Sequence, residues 1–427
     1  MMRAFRWATY GLLMCLVVVA CGAPDAQTGT VPDETTEDES IPAQADPVVD
    51  RPEPESPHLD ALVRGINDVG YDLFGVASEP DGGDMVLSPL SIGIAFGMAD
   101  VGATGEPAAA LADLFSLPAE GENRWAAFNA LEQSVTDVGE PIVRLANRLF
   151  PDRGFPLTDG YDERLARWFG AGLEPLPLQA QPEPSRVRIN DWIAEQTEDL
   201  IPELLPDGFL TPDSVLVLVN ALYLEADWAL TFGKYPTRDA DFTRLDGSTV
   251  TVPLMHEQEL SGPAVKTADY AATELPYEDG ELSMLLIVPE QGRFIDVQSR
   301  LDADLVAEID AAATTGFVEV LLPRFDTNAS LDLRAAMEGG LGVEGLFDVP
   351  GWDGIGEGIT LEQAVHAANI EVDEQGTVAA AATALEFGES GPPEPDVTVR
   401  ADKPFLYLIR HVPTGAVLFI GRVLDPT

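Results

Sequence analysis

Four histidines, two cysteines and one glycine-flanked serine are the groups through which this 427-residue chain could do covalent or metal chemistry. Gly388-Glu389-Ser390-Gly391 has the outline of a nucleophile turn. The motif that lifts a catalytic serine is G-x-S-x-G at a strand-to-helix turn, however, and Pro392-Pro393 stands where the helix would begin, without the N–H groups a helix needs. His58, His256, His366 and His411 lack metal-ligand spacing, and His256-Glu257 has no second histidine to complete a zinc-protease helix. No phosphate-cradling glycine loop or dinucleotide fingerprint occurs. These residues therefore point away from an enzyme, a bound metal and a cofactor. A different segment stands out: Glu374-Gln375-Gly376-Thr377-Val378, then Ala379, Ala380, Ala381, Ala382, Thr383 and Ala384. Alanine propensity favours a helix. The continuation, Leu385 to Pro395, is broken by glycines and prolines, which favours an exposed loop with small residues at its base. The second reading is chemistry of motion: a segment built to move.

Charge narrows the partners. Against 73 acidic residues stand 24 basic ones, a net charge of −49. Grip on nucleic acid or on an anionic lipid surface depends on neutralising phosphates, so both are excluded as general partners. With 45% hydrophobic residues the chain has ample core material, and two cysteines exclude a disulfide framework.

Arg3 and Arg6 precede an apolar run from Tyr10 to Ala20, too short to span about 30 Å of hydrocarbon. Residues 1–20 read as a signal peptide. Val18-Val19-Ala20-Cys21-Gly22 resembles the lipobox of bacterial lipoproteins, which implies that Cys21 becomes the lipidated N-terminus and anchors the chain to the outer or periplasmic face of the cell envelope. Ordinary cleavage leaving a free cysteine is the alternative. Residues 21–57 hold seven prolines, ten acids and one arginine, the composition of an extended, self-repelling tether.

The body, residues 58–427, carries a net charge of −42 with only three lysines, which suggests a salt-adapted surface. Leu59, Leu62, Val63, Ile66 and Tyr71 mark one helical stripe, and Ser88-Pro89 introduces a second apolar helix through Ile92, Ala95 and Met98. Apolar runs of strand length follow at 215–219, 284–288, 317–322 and 416–420. Helices early and strands late indicate an α+β fold in one large domain.

At this point the body resembles the serpin family of serine protease inhibitors. The inhibitory hinge pattern E-x-G-T-x-A-A-A-A-T is matched from Glu374 to Thr383. Further serpin blocks occur in order: Ser88-Pro89-Leu90-Ser91-Ile92, Asn220-Ala221-Leu222-Tyr223 with Trp228 and Phe232, Leu275-Pro276-Tyr277, Leu322-Pro323-Arg324-Phe325, and Lys403-Pro404-Phe405. The resemblance implies three β-sheets with a five-stranded central sheet A, about nine helices, and a reactive-centre loop. A target protease cleaves that loop and is trapped as an acyl-enzyme while the hinge enters sheet A as a new strand. Period-two alternation puts Thr377, Ala379, Ala381, Thr383, Leu385 and Phe387 on one uncharged face after insertion, with Glu386 on the other. A monomer without cofactor is expected.

By the same resemblance Ser88, Ser91, Asn220 and His366 form the shutter beneath sheet A. Singly, each also reads as an ordinary satisfied core residue. Glu374 and Arg324 resemble the breach ion pair, with Trp228 nearby. Three departures stand out: Val378 in place of glutamate, Leu224-Glu225 in place of phenylalanine and a basic residue, and a longer loop. Sixteen positions beyond Glu374 the scissile bond falls at Ser390-Gly391; one position earlier it falls at Glu389-Ser390. Neither offers a basic residue, so trypsin-like targets are disfavoured. The expected partners are proteases of elastase or subtilisin type for the first, or a glutamyl endopeptidase for the second. Papain-like cysteine proteases, or a non-inhibitory role as binding module or chaperone, are the other readings.

Overall fold

The computed structural model describes residues 50–79, 82–117, 121–139, 142–198, 201, 203–377 and 394–427, together with the backbone of 12–22. The hinge residues Ala379 to Thr383 and the candidate bonds at Glu389, Ser390 and Gly391 lie outside the described residues.

The fold is α+β. Helix Leu59–Ala77 buries the expected stripe, Leu62, Val63 and Ile66 with Leu73 and Phe74, against helix Pro89–Asp100. The latter is apolar all round and buried along its whole length, as only a core helix can be. Its start is fixed by the Ser88 side chain, which accepts from the Ser91 N–H at 3.0 Å, and by Pro89 in the first turn, where no N–H is needed. The four predicted strands lie within Ser214–Asp227, Leu282–Pro289, Thr314–Pro323 and Ala416–Val423. Nine α-helical stretches occur among the described residues.

The central sheet runs in the order Phe325–Asp332, Ile359–Val372, Leu12–Gly22, Ser214–Asp227, Ile142–Pro151, Gly172–Leu173, with Gly376–Thr377 paired onto the end of Ser214–Asp227. The five strands expected of sheet A are present. Two additions widen it: the hinge residues Gly376 and Thr377, and the apolar run read from sequence as a leader. That run, Leu12–Gly22, is antiparallel to both neighbours, pairing Leu13–Gly22 with Asn369–Ile359 on one side and Leu12–Cys21 with Leu224–Ser214 on the other. An uninterrupted uncharged run of this length suits a strand covered on both faces as well as it suits a leader.

The remaining strands form one nine-stranded sheet in place of two separate ones. The 18-residue strand Thr249–Lys266 joins them, because it pairs successively with Tyr235–Thr243, Thr314–Pro323 and Tyr270–Pro276. One face of sheet A rests on the main core; the other is covered by helix Pro182–Gln196, where Ile189, Trp192 and Ile193 pack with Phe150, Val217 and Val219.

Candidate functional site

The site is the gap in sheet A between Ser214–Asp227 and Ile359–Val372, with its mouth where the hinge departs. After Val372 the chain turns on Asp373, whose carboxylate accepts from the Gln375 N–H at 2.8 Å. It then lays Gly376 and Thr377 antiparallel to Asp227 and Ala226. Gly376 is required there: a Cβ would stand 2.1 Å from the Ala226 carbonyl oxygen. Thr377 is fully buried and shares a 2.8 Å hydrogen bond with the Tyr277 hydroxyl. Tyr277 stacks on Trp228 at 4.5 Å between centroids and 9° between planes. The indole N–H of Trp228 donates to the Asp373 carbonyl at 3.0 Å, and its backbone N–H donates to the Gln375 carbonyl at 2.6 Å.

Outside this clamp, Arg324 donates to both oxygens of Glu374, at 2.7 Å from Nη2 and 2.9 Å from Nε. Thr237 donates to the same carboxylate. Partial burial works against the charged form of Glu374, but the bonds from Arg324 and Thr237 prevail and hold its carboxyl below the usual range. Trp228, Arg324 and Glu374 thus converge as expected. Leu224-Glu225 causes no disturbance: both residues keep their pairing with Ile142–Val143, and Glu225 accepts from the Tyr223 hydroxyl at 3.0 Å.

Halfway down the gap, Ser88, Ser91, Asn220 and His366 are brought together, each at most 1% exposed. The Ser88 N–H donates to His366 Nε2 at 3.1 Å, and the Ser91 hydroxyl donates to the Asn220 side-chain oxygen. Asn220 and His366 do not bond each other, because Leu16 lies in register between them, opposite both. Burial lowers the His366 pKa to about 3, so the imidazole is neutral.

Four residues that sequence reasoning missed extend this network. Asn220 donates to Asn147 at 2.8 Å, Asn147 to Glu132 at 3.2 Å, and Arg51 to both Glu132 oxygens at 3.1 and 3.2 Å, with a further 3.1 Å bond to Asn129. Burial pushes Glu132 up to about 7 against the pull of Arg51. Arg51 belongs to the segment read as tether, and its signal was in plain view: the one cation in an acidic stretch. Among the described residues no group of His, Cys, Asp and Glu is placed to hold a metal ion, and no helix is long and apolar enough to cross a membrane.

What this arrangement can do is hold an added strand: Leu12–Gly22 is paired with Ile359–Val372 on one side and Ser214–Asp227 on the other, and Gly376–Thr377 is paired at the mouth. The family model described as Serpin (serine protease inhibitor) matches residues 64–426. An uncharacterized serpin-like protein of Thermococcus kodakarensis is 34% identical over 372 residues, 86% of each chain. The human leukocyte elastase inhibitor is 33% identical, covering 83% of this chain and 97% of its own. Among solved structures, the thermophilic serpin tengpin in the native state aligns with a TM-score of 0.74 over 85% of this chain and 94% of its own at 21% identity. The insect Serpin48 of Tenebrio molitor gives 0.75 at 23% identity, over 86% of this chain and 98% of its own. The chain belongs to the serpin family.

Proposed function

We propose that this protein is a suicide inhibitor of serine proteases, held at the bacterial cell envelope by a lipid on Cys21. The serine of the target adds to the loop carbonyl at Ser390, or at Glu389 in the earlier register. The peptide C–N bond breaks, the new amino terminus departs with a proton from the protease histidine, and an ester remains. The released hinge then extends the pairing begun at Gly376–Thr377 down sheet A, carrying the ester-linked protease with it before water can hydrolyse the bond.

The observation that carries this reading is the close seating of Gly376 on the Ala226 carbonyl with Thr377 buried behind it. Those two residues already have the direction and the facing that the rest of an inserting strand needs. A loop serving only as a binding module would have no use for a glycine in that position or for the chargeless alternation that follows. The relatives named leukocyte elastase inhibitors agree with a small residue at the scissile bond.

The test uses the secreted form beginning at Cys21, incubated with subtilisin, pancreatic elastase and a glutamyl endopeptidase. An SDS-resistant complex with one of them is expected, with a released C-terminal peptide starting at Gly391 or Ser390. Cleavage of the loop by all three, each left fully active, would sink the inhibitor reading.

A further inference from the structure

The hinge and the apolar N-terminal run are aimed at the same place. Gly376 pairs with Asp227 and Thr377 with Ala226, so continuing that antiparallel register sets Ala379 opposite Leu224 and Phe387 opposite Leu216. Those nine positions are already paired, because Leu12 lies opposite Leu224 and Ala20 opposite Leu216. On the far side the same run is paired with Ile359–Val372 from Leu13 to Gly22, leaving neither edge of the gap free. Gly376–Thr377 and Leu12–Gly22 are both antiparallel to Ser214–Asp227, and the sequences of the two candidate occupants are uncharged at the positions that would pair through the middle of the sheet, apart from Glu386 in the hinge. The two cannot be accommodated together, since one gap between two strands admits one strand.

We propose that residues Leu12–Gly22, for as long as they remain on the chain, fill the strand position that the hinge requires, so that the unprocessed precursor is self-blocked and loss of the leader arms it. The inference rests on the inhibitor reading for its consequence, but the occupancy itself does not. Length and composition fit the role. Eleven residues without proline or charge, including Val17-Val18-Val19, match a central strand, and Pro24 just beyond Gly22 ends what such a strand can tolerate. Residues 23–49 can reach about 90 Å at full extension. In a cell that exports the chain, a precursor that lingers inside would then meet intracellular proteases as a substrate and not as a trap.

The test uses the full chain, produced without export so that the leader is retained. Cys15 is in register with Ala367, and opposed residues of antiparallel strands stand about 4.5–5.5 Å apart, within disulfide reach. In a Cys21→Ser, Ala367→Cys chain, mild oxidation is therefore expected to link Cys15 to the new cysteine, read by peptide mass mapping. Absence of that link overturns the occupancy.

A second chain carries Val17→Pro and Val19→Pro, which remove ladder hydrogen bonds from both edges. A labelled peptide copying residues 376–387 is expected to bind this variant at least about tenfold faster than the unaltered full chain, as when the competent state is a minor population. Equal rates overturn the block. With subtilisin or elastase, the proline variant should give SDS-resistant complexes while the unaltered full chain is merely cleaved. Equal trapping by both would remove the block and leave the inhibitor function standing. A proline variant that takes up peptide yet traps no protease would do the reverse.

Discussion

At the mouth of the gap, Glu374, with its side chain 13% exposed, is held by an arginine whose side chain is 52% exposed and can exchange its bonds for water. Halfway down, Ser88, Ser91, Asn220 and His366 are sealed and neutral, and a lost bond there finds no replacement. Under the proposed mechanism the two regions would serve one movement by opposite means. A strand that enters must first slip past a charged pair that costs little to open, and then displace or spare a hydrogen-bond network that costs a great deal to leave unsatisfied. The mouth is therefore suited to setting how readily insertion begins, and the middle to setting whether the sheet holds together.

Acidification should separate them most. His366 is neutral and buried with a folded pKa of about 3, below its unfolded value of about 6.5. The unfolded chain thus binds the extra proton first, and stability is lost as pH falls from 6.5 toward 3. By pH 4 the loss is on the order of 3 kcal/mol. Glu132 works the other way: with its folded pKa raised to about 7, it favours the folded state as pH falls through 7 toward its ordinary value. The contribution of His366 is isolated by comparing the wild type with His366→Gln in urea melts at pH 7 and pH 4. Equal slopes for the two proteins would mean that the histidine is not buried as described.

Asn220→Ala removes the partner of both Ser91 and Asn147, and is expected to cost about 2–3 kcal/mol in the same melts. Gly376→Ala forces a Cβ into the Ala226 carbonyl and should cost about 1–2 kcal/mol at the mouth. Its more telling effect is on partition: a larger share of loops should be cleaved without trapping, measured as inhibitor consumed per protease inactivated. Arg324→Gln should change stability by under about 1 kcal/mol, and by less still in high salt. Should Arg324→Gln prove as damaging as Asn220→Ala, the contrast between mouth and middle would not hold.

Both regions are largely legible in the sequence. The hinge, the pairing of Arg324 with Glu374 near Trp228, and the four buried polar residues all follow from motif resemblance, and the fold brings the last two groups together. What escapes does so for physical reasons. An apolar run such as Leu12–Gly22 has no periodicity to tell a leader from a central strand, and only long-range pairing assigns it. Asn147 and Glu132 look unremarkable in sequence because their partners lie on other elements, 73 residues away for Asn147 and 81 for Glu132. Arg51 has the composition of a solvated tether around it, yet one bidentate pair and a bond to the Trp168 carbonyl suffice to seat it.

The eleven-residue strand Leu12–Gly22 also serves as a ruler laid inside the molecule. At about 3.3 Å per residue, a strand of that length measures about 36 Å. Any body fixed covalently to the far end of a segment that comes to fill the same gap is carried from the mouth to the opposite pole of the sheet over a comparable distance. A protein acting as proposed would then need no tight surface complementarity with its captive, because the length of a gap in its own sheet would set how far the captive is moved.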